Sequence, residues 1–411
     1  MTKRVAKWTI KPELRDSRPD AGQAGVFFGA TYREYDLNYQ MITTNDALQG
    51  LCDAARNASA IALDTEFVRT RTYYPQLGLI QMFDGETVAL IDPLTITEWA
   101  PMRELLLDEN VTKYLHAGSE DLEVFLNTFG LLPKPLIDTQ ILAAFCGRPM
   151  SWGFAAMVEE YTGLVLDKSE SRTDWLARPL TERQCDYAAA DVWYLLPIAK
   201  KLMDETATAG WLPAALDECQ LMMQRRQEVL DPAEAWRDIG NAWQLRTRQL
   251  GCLKLLADWR LRKARDRDMA VNFVVREEHL WAVARYMPGS MGELDSLGLS
   301  GSEIRFHGKT LLSLVEKAQA LPEEALPEPL KNLIDMPGYR KVFKEIKALV
   351  QEVSAEKGVS AEMLASRRQI NQLLNWHWQL KIQSSLPEMI SGWRGELMAD
   401  RLKTLLATYP E

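Results

Sequence analysis

Four carboxylates and a tyrosine, delivered by three separate segments between residues 64 and 191, constrain this chain more than any other feature. They are Asp64 and Glu66 in AIALDTEF, Asp121 in HAGSEDLEVF, and Tyr187 with Asp191 in YAAADVWYL. A carboxylate cluster assembled from distant segments suits hard divalent cations, which prefer oxygen ligands. Two such ions, about 3.5–4 Å apart, stabilise both the attacking and the leaving oxygen of an in-line phosphoryl displacement. Tyr187 stands one helical turn before Asp191, a position from which its hydroxyl can orient an attacking water. The residues point to a metal-dependent nuclease.

Each segment also has a plainer reading. Ala60–Leu63 is an apolar run that reads as a buried strand, with Asp64 at its end. Asp64 and Glu66 are two apart, so an extended chain turns both to one face, although a solvated strand end would look the same. Asp121 falls in the first turn of a helix whose Leu122, Phe125, Leu126 and Phe129 repeat at helical spacing. There it would also complement the helix dipole. Tyr187 and Asp191 are four apart and share a helical face, with only alanines at 188–190 between them. Asp138 precedes Thr139 and an apolar helical run, so it reads as an N-cap rather than a ligand. His116, just after the expected strand Thr112–Leu115, reads as a backbone-bonded histidine.

Taken in order and spacing, DTEF, HAGSEDLEVF and Y-x-x-x-D closely resemble the ribonuclease D family, DEDD-type 3′→5′ exonucleases with a tyrosine in the last motif. RTRTYYPQLGLIQ at 69–81, LIDTQILAAFCGRPMSWG at 136–153 and LDKSESRTDWLARPLTERQCDYAAADVWYLLP at 166–197 carry the resemblance further. It implies a ribonuclease H-like α/β domain, a mixed sheet flanked by helices. It also implies hydrolysis of RNA 3′ ends to 5′-mononucleotides, with a role in transfer-RNA 3′ maturation. Asp64, Glu66, Asp121 and Asp191 would hold two divalent cations, Mg²⁺ or Mn²⁺, and Tyr187 would position the water. The alternatives are a DNA 3′–5′ exonuclease, because the four acids do not read a 2′-hydroxyl, and a non-catalytic RNA-binding scaffold. Intact acids at every matched position argue against the second.

The length of 411 residues suggests several domains. Five cysteines without a Cys-x-x-Cys pair read as reduced thiols. No apolar run approaches a membrane span, and the N-terminus lacks a signal-peptide core, so a cytoplasmic monomer is expected. The net charge of −9 hides a division along the chain. Residues 37–207 hold 25 acidic against 13 basic side chains, a balance of −12, whereas 246–285 hold five against ten, a balance of +5. An acidic catalytic half needs cations before it can hold phosphate, while a basic segment elsewhere attracts the polyanion. RNA contacts are therefore expected from Arg262, Lys263 and Arg265. In the irregular stretch 169–179, Arg172, Trp175 and Arg178 are further candidates, by phosphate contact or base stacking. The competing reading for Trp175 is a buried side chain pinning the loop.

Residues 1–36 mix charges with prolines and glycines and lack periodicity, so a poorly ordered extension is expected upstream of Leu37, near where related chains start. The exonuclease domain should cover 37–208 and a helical linker 209–242. Two all-α bundles resembling HRDC domains, nucleic-acid-binding modules, should follow at 243–326 and 327–411. MAVNFVVREEHL at 269–280 and VSAEMLASRRQI at 359–370 match in helical phase. Lys309-Thr-Leu-Leu312 likewise recurs as Lys403-Thr-Leu-Leu406, which reads as a diverged tandem repeat. The partner expected throughout is RNA, in particular transfer-RNA precursors with 3′ trailing nucleotides.

Overall fold

The computed structural model of the chain describes residues 4–6, 37–167, 169–380 and 385–409, which fall into two compact units. The first unit, completed by Pro75–Gln227, is built on a mixed sheet. Its strands are β1 (Arg4–Ala6), β2 (Leu37–Ile42), β3 (Ala60–Val68), β4 (Gln76–Phe83), β5 (Val88–Ile91), β6 (Thr112–Leu115) and β7 (Leu136–Asp138), in the order β1-β2-β5-β4-β3-β6-β7. β3 pairs antiparallel with β4 and parallel with β6. The short β1 pairs antiparallel with β2, where sequence suggested a poorly ordered extension; the rest of 1–36 lies outside the described residues.

The helices of this unit are α1 (Asn45–Ala55), α2 (Ala100–Leu107), α3 (Ser119–Phe129), α4 (Thr139–Phe145), α5 (Phe154–Thr162), α6 (Glu182–Trp193), α7 (Leu195–Thr208) and α8 (Leu212–Gln227). One face of the sheet buries Ile61, Leu63, Ile80, Met82, Ala89 and Ile91 against residues of α1, α2 and α3. That alternation, one residue in two, is what a strand with a single core face requires. α6 packs across β2, β3, β4 and β5. Ala188, Ala189 and Ala190 are fully buried there, so the alanine run lets the helix backbone lie close to the strands. Residues 212–227 were expected to bridge the domains. Instead α8 packs on α3, α4 and β7, with Met222 and Met223 against the core and Arg226 paired to Glu123.

The second unit comprises Arg69–Tyr74 and Glu228–Glu411. Its first bundle holds α9 (Thr247–Asp266), α10 (Val271–Val274), α11 (Glu277–Tyr286), α12 (Met291–Ser296) and α13 (Gly301–Gln319). The second holds α14 (Tyr339–Lys357), α15 (Ala361–Leu364), α16 (Arg367–His377) and α17 (Gly392–Leu406). In both, a long helix is followed by a single-turn helix and, two residues later, by the next helix, the order the internal repeat implies. Much of the basic excess in α9 is spent inside this unit. Arg260 is buried and donates to the Val275 carbonyl. Arg265 bonds the Tyr73 hydroxyl and the Leu230 carbonyl.

Candidate active site

Sheet register and helix phase assemble the site. Asp64 and Glu66 leave β3 on its α6 side, opposite Gln81 and Leu79 of β4. Between Glu66 and Phe67 the register slips by one, so Gly78 of β4 has no counterpart in β3. Bulges of this kind recur beside active sites, where they re-aim side chains. Asp191 arrives from α6, and oxygens of Asp64, Glu66 and Asp191 lie within 4.8 Å of one another. Asp121, on the first turn of α3, is buried and accepts a hydrogen bond from the Thr65 hydroxyl. It stands beside the trio rather than within it.

Charge in this cluster has no protein counterweight: among the described residues no lysine or arginine pairs with the three clustered acids. Burial, then the charges of Asp121, Asp191 and Glu66, raise the Asp64 carboxyl well above its ordinary range. Burial and the charges of Asp191 and Asp121 push Glu66 up to about 9. Asp191 is likewise raised by burial and by Asp121. Burial lifts Asp121 only to about 6, because the Thr65 hydroxyl favours its charged form. Oxygen-only ligands with an unmet demand for positive charge fit a hard divalent cation. The Tyr187 hydroxyl is held protonated by burial and by Asp191, Glu66 and Asp64. A pocket of about 210 Å³ opens beside it, lined by Phe154, Ala155, Leu166, Ser171, Ala190 and Asp191 among others.

Asp138 caps α4 by accepting from the Gln140 amide, as its position before Thr139 suggests. The same carboxylate also accepts from the amides of Ala117 and Gly118. It thereby fixes the turn from which α3 presents Asp121, a positioning role that sequence reading missed. His116 bonds Thr139 and the Trp152 carbonyl through its two ring nitrogens. Burial lowers its pKa, so the neutral ring is a structural bridge. Gln81, directly opposite Asp64, is fully buried, and its amide has no partner among the described residues. Such a group costs about 1–3 kcal/mol unless something polar reaches it.

Two of the three RNA candidates in the 169–179 loop are corrected by the structure. Trp175 is 1% exposed and its ring centroid lies 6.1 Å from that of Tyr187, so it presents no face for a base. Arg178 spends all five donors inside the protein. Nε and Nη2 bond the Asp92 carboxylate at 2.8 and 2.7 Å, Nη2 also bonds the Gly78 carbonyl, and Nη1 bonds the carbonyls of Trp175 and Ala177. A Cβ on Gly78 would stand 2.6 Å from the Trp175 carbonyl oxygen, so only glycine admits this approach. Arg172 is exposed. In α9, Arg262 is exposed but paired to Asp258, Lys263 is half-buried, and Arg265 is half-buried with two donors bonded as described above.

Comparison with known proteins places the chain in a family. A family model described as a 3′-5′ exonuclease matches residues 39–207, an HRDC domain model matches 249–315, and a ribonuclease D C-terminal HRDC domain model matches 337–402. Ribonuclease D of Escherichia coli (strain K12) is 78% identical over 375 residues, covering 91% of this chain and 100% of that protein. Ribonuclease D of Cronobacter turicensis is 77% identical over 369 residues, 90% of this chain and 100% of that protein. The crystal structure of Escherichia coli RNase D, described as an exoribonuclease involved in structured RNA processing, superposes with a TM-score of 0.90 over 91% of this chain and 100% of that one. With such identity across nearly all of its folded length, the chain belongs to the ribonuclease D family and is a divalent-metal-dependent 3′→5′ exoribonuclease.

Proposed function

We propose that Asp64, Glu66, Asp121 and Asp191 hold two divalent cations, Mg²⁺ or Mn²⁺, and that the enzyme trims 3′ trailing nucleotides from transfer-RNA precursors. The observation that carries this reading is the trio of carboxylates within 4.8 Å, with Asp121 beside it and, among the described residues, no lysine or arginine paired with the trio. When bound, such ions activate water and neutralise the charge that builds on the phosphate oxygens. The chain supplies the rest. The protonated Tyr187 hydroxyl, one turn before Asp191, donates to and orients the water that attacks the last phosphodiester. The phosphorus–oxygen bond to the penultimate 3′-oxygen breaks, leaving a 5′-mononucleotide and a new 3′-hydroxyl. The pocket beside Tyr187 receives the departing nucleoside. The description of the Escherichia coli relative as acting in structured RNA processing supports the choice of substrate.

In this reading the protein works in the cytoplasm as a monomer, with a catalytic domain over 37–208 and two HRDC-type bundles over 243–326 and 327–411 that recruit RNA. Incubating it with a 3′-labelled precursor transfer RNA and with DNA of equal length, in Mg²⁺, Mn²⁺ or chelator, tests the assignment. Mononucleotide release from RNA alone, abolished by chelator, is expected, with two ions per chain by titration calorimetry. Equal turnover of DNA, or a single bound ion, contradicts it.

Two variants separate chemistry from recruitment. Tyr187→Phe removes one hydroxyl and should lower kcat about 10- to 100-fold through a misplaced water, with its melting temperature nearly unchanged; normal turnover contradicts the orienting role. Deleting Pro327–Glu411 should raise KM on structured RNA while leaving kcat on a short single strand near that of the full chain. Loss of activity on dinucleotides would instead make the bundles a support for the catalytic domain.

A further inference from the structure

Of the α9 cations that sequence singled out, Arg262 pairs with Asp258 and Arg265 bonds Tyr73 and Leu230, which leaves Lys263. A different surface, on α13 and the facing side of α9, remains free. Phe306 is 65% exposed on α13. The Arg305 guanidinium lies 4.5 Å from its centroid. His307 lies 6.4 Å from Phe306 and meets Trp259 of α9 edge-on at 5.4 Å. Burial of the ring lowers the pKa of His307, and the charge of Lys263, one turn beyond Trp259, adds to that. From Ser302 to Ser313 the exposed positions of α13 are Ser302, Arg305, Phe306, Lys309 and Ser313, so the only charges there are positive. Among the described residues neither Arg305 nor Lys309 has an acidic partner.

We propose that Phe306, backed by His307 and Trp259 and flanked by Arg305, Lys309 and Lys263, is a stacking platform for an unpaired base of the RNA substrate. The proposal rests on the recruitment reading above and gives it a place. An aromatic face among uncompensated cations matches single-stranded nucleic acid: bases stack on the ring while the cations hold the adjoining phosphates. A protein-docking patch would need a broader apolar area than one ring, and the positive rim would disfavour most apolar partners. A duplex offers phosphates but no free base face, so the surface should discriminate paired from unpaired RNA.

The test is fluorescence anisotropy of the full-length protein with labelled 12-nucleotide oligouridine and with a 12-base-pair RNA duplex, in chelator so that nothing is cleaved. Phe306→Ala should weaken oligouridine binding about tenfold, in the range found for one lost base stack, and leave duplex binding and the salt slope unchanged. Phe306→Trp should restore binding, whereas Phe306→Leu, apolar but not aromatic, should not. The double variant Arg305→Glu with Lys309→Glu should lower the slope of log K against log salt by about 1.4, the value for two phosphate contacts on a single strand. Wild-type affinity in Phe306→Ala, rescue by leucine, or equal loss on strand and duplex overturns the platform. If that happens while deletion of Pro327–Glu411 still weakens RNA binding, recruitment by the bundles survives and only its placement at Phe306 fails. If deletion of both bundles, from Trp243 onward, is also silent, both readings fall.

Discussion

Asp64→Asn or Asp191→Asn protein is expected to lose about 10²–10³-fold or more in RNA hydrolysis and yet to melt higher than the parent when metal is absent. Each substitution removes one charge from a cluster in which burial and like charges hold the carboxyls far above their usual range. Because the folded state binds these protons more tightly than the unfolded chain, its stability is fully present below the ordinary carboxylate pKa of about 4. It is lost as pH rises towards the folded values, Glu66 reaching about 9. The metal-free protein should therefore melt lower at pH 8 than at pH 6. Divalent cation should flatten that slope, and asparagine should reduce it, gaining about 1–2 kcal/mol at pH 8. Melting curves against pH, in chelator and in Mg²⁺, provide the check. A variant with the parent's pH slope would mean that the acids are not mutually repelling, and near-normal turnover would remove them from the metal site.

Arg178→Ala should destabilise the first unit by about 3–5 kcal/mol, the usual cost of breaking a mostly buried ion pair from one side. It strands the Asp92 carboxylate and frees the Gly78, Trp175 and Ala177 carbonyls at once. Burial by itself would raise the Asp92 carboxyl, but hydrogen bonds from Arg178 and the Leu94 amide bring it below its usual value. This contribution is present above the unfolded pKa of about 4 and fades as pH falls through the lower folded value. The penalty should thus be full at neutral pH and shrink in acid. kcat should fall as well, since the loop carries Trp175 against Tyr187. Lysine should rescue only partly, because three donors on a point charge cannot meet five acceptor contacts in a plane. Denaturant unfolding at pH 7 and pH 3.5 measures the difference; a loss under about 0.5 kcal/mol at pH 7 would show that the clasp is incidental.

β3 was legible because Ala60–Leu63 forms an apolar run long enough to read as a buried strand. β7, three residues long, was not, since no periodicity can be read from Leu-Ile-Asp. α8 looked like a linker because its sequence does not show which neighbour it packs against. The contacts from Cys219 to β7 and from Met222 and Met223 to the core exist only once the sheet has formed.

By itself, the sequence determined the acids and the tyrosine. Asp64 and Glu66 share a face because strands alternate, Tyr187 and Asp191 share one because a helix turns every 3.6 residues, and both rules act within a few neighbours. Tertiary structure alone decided which cations are free. Arg178 finds Asp92 and Gly78 at separations of 86 and 100 residues, Arg265 finds Tyr73 192 residues away, and Phe306 is left at the surface beside Arg305, which has no acidic partner among the described residues. A side chain's local sequence sets its chemistry, but whether its hydrogen bonds are already satisfied depends on chain segments brought together only by folding. That is why the shared faces of Asp64 with Glu66 and of Tyr187 with Asp191 could be read in advance, whereas which arginines are already bonded could not.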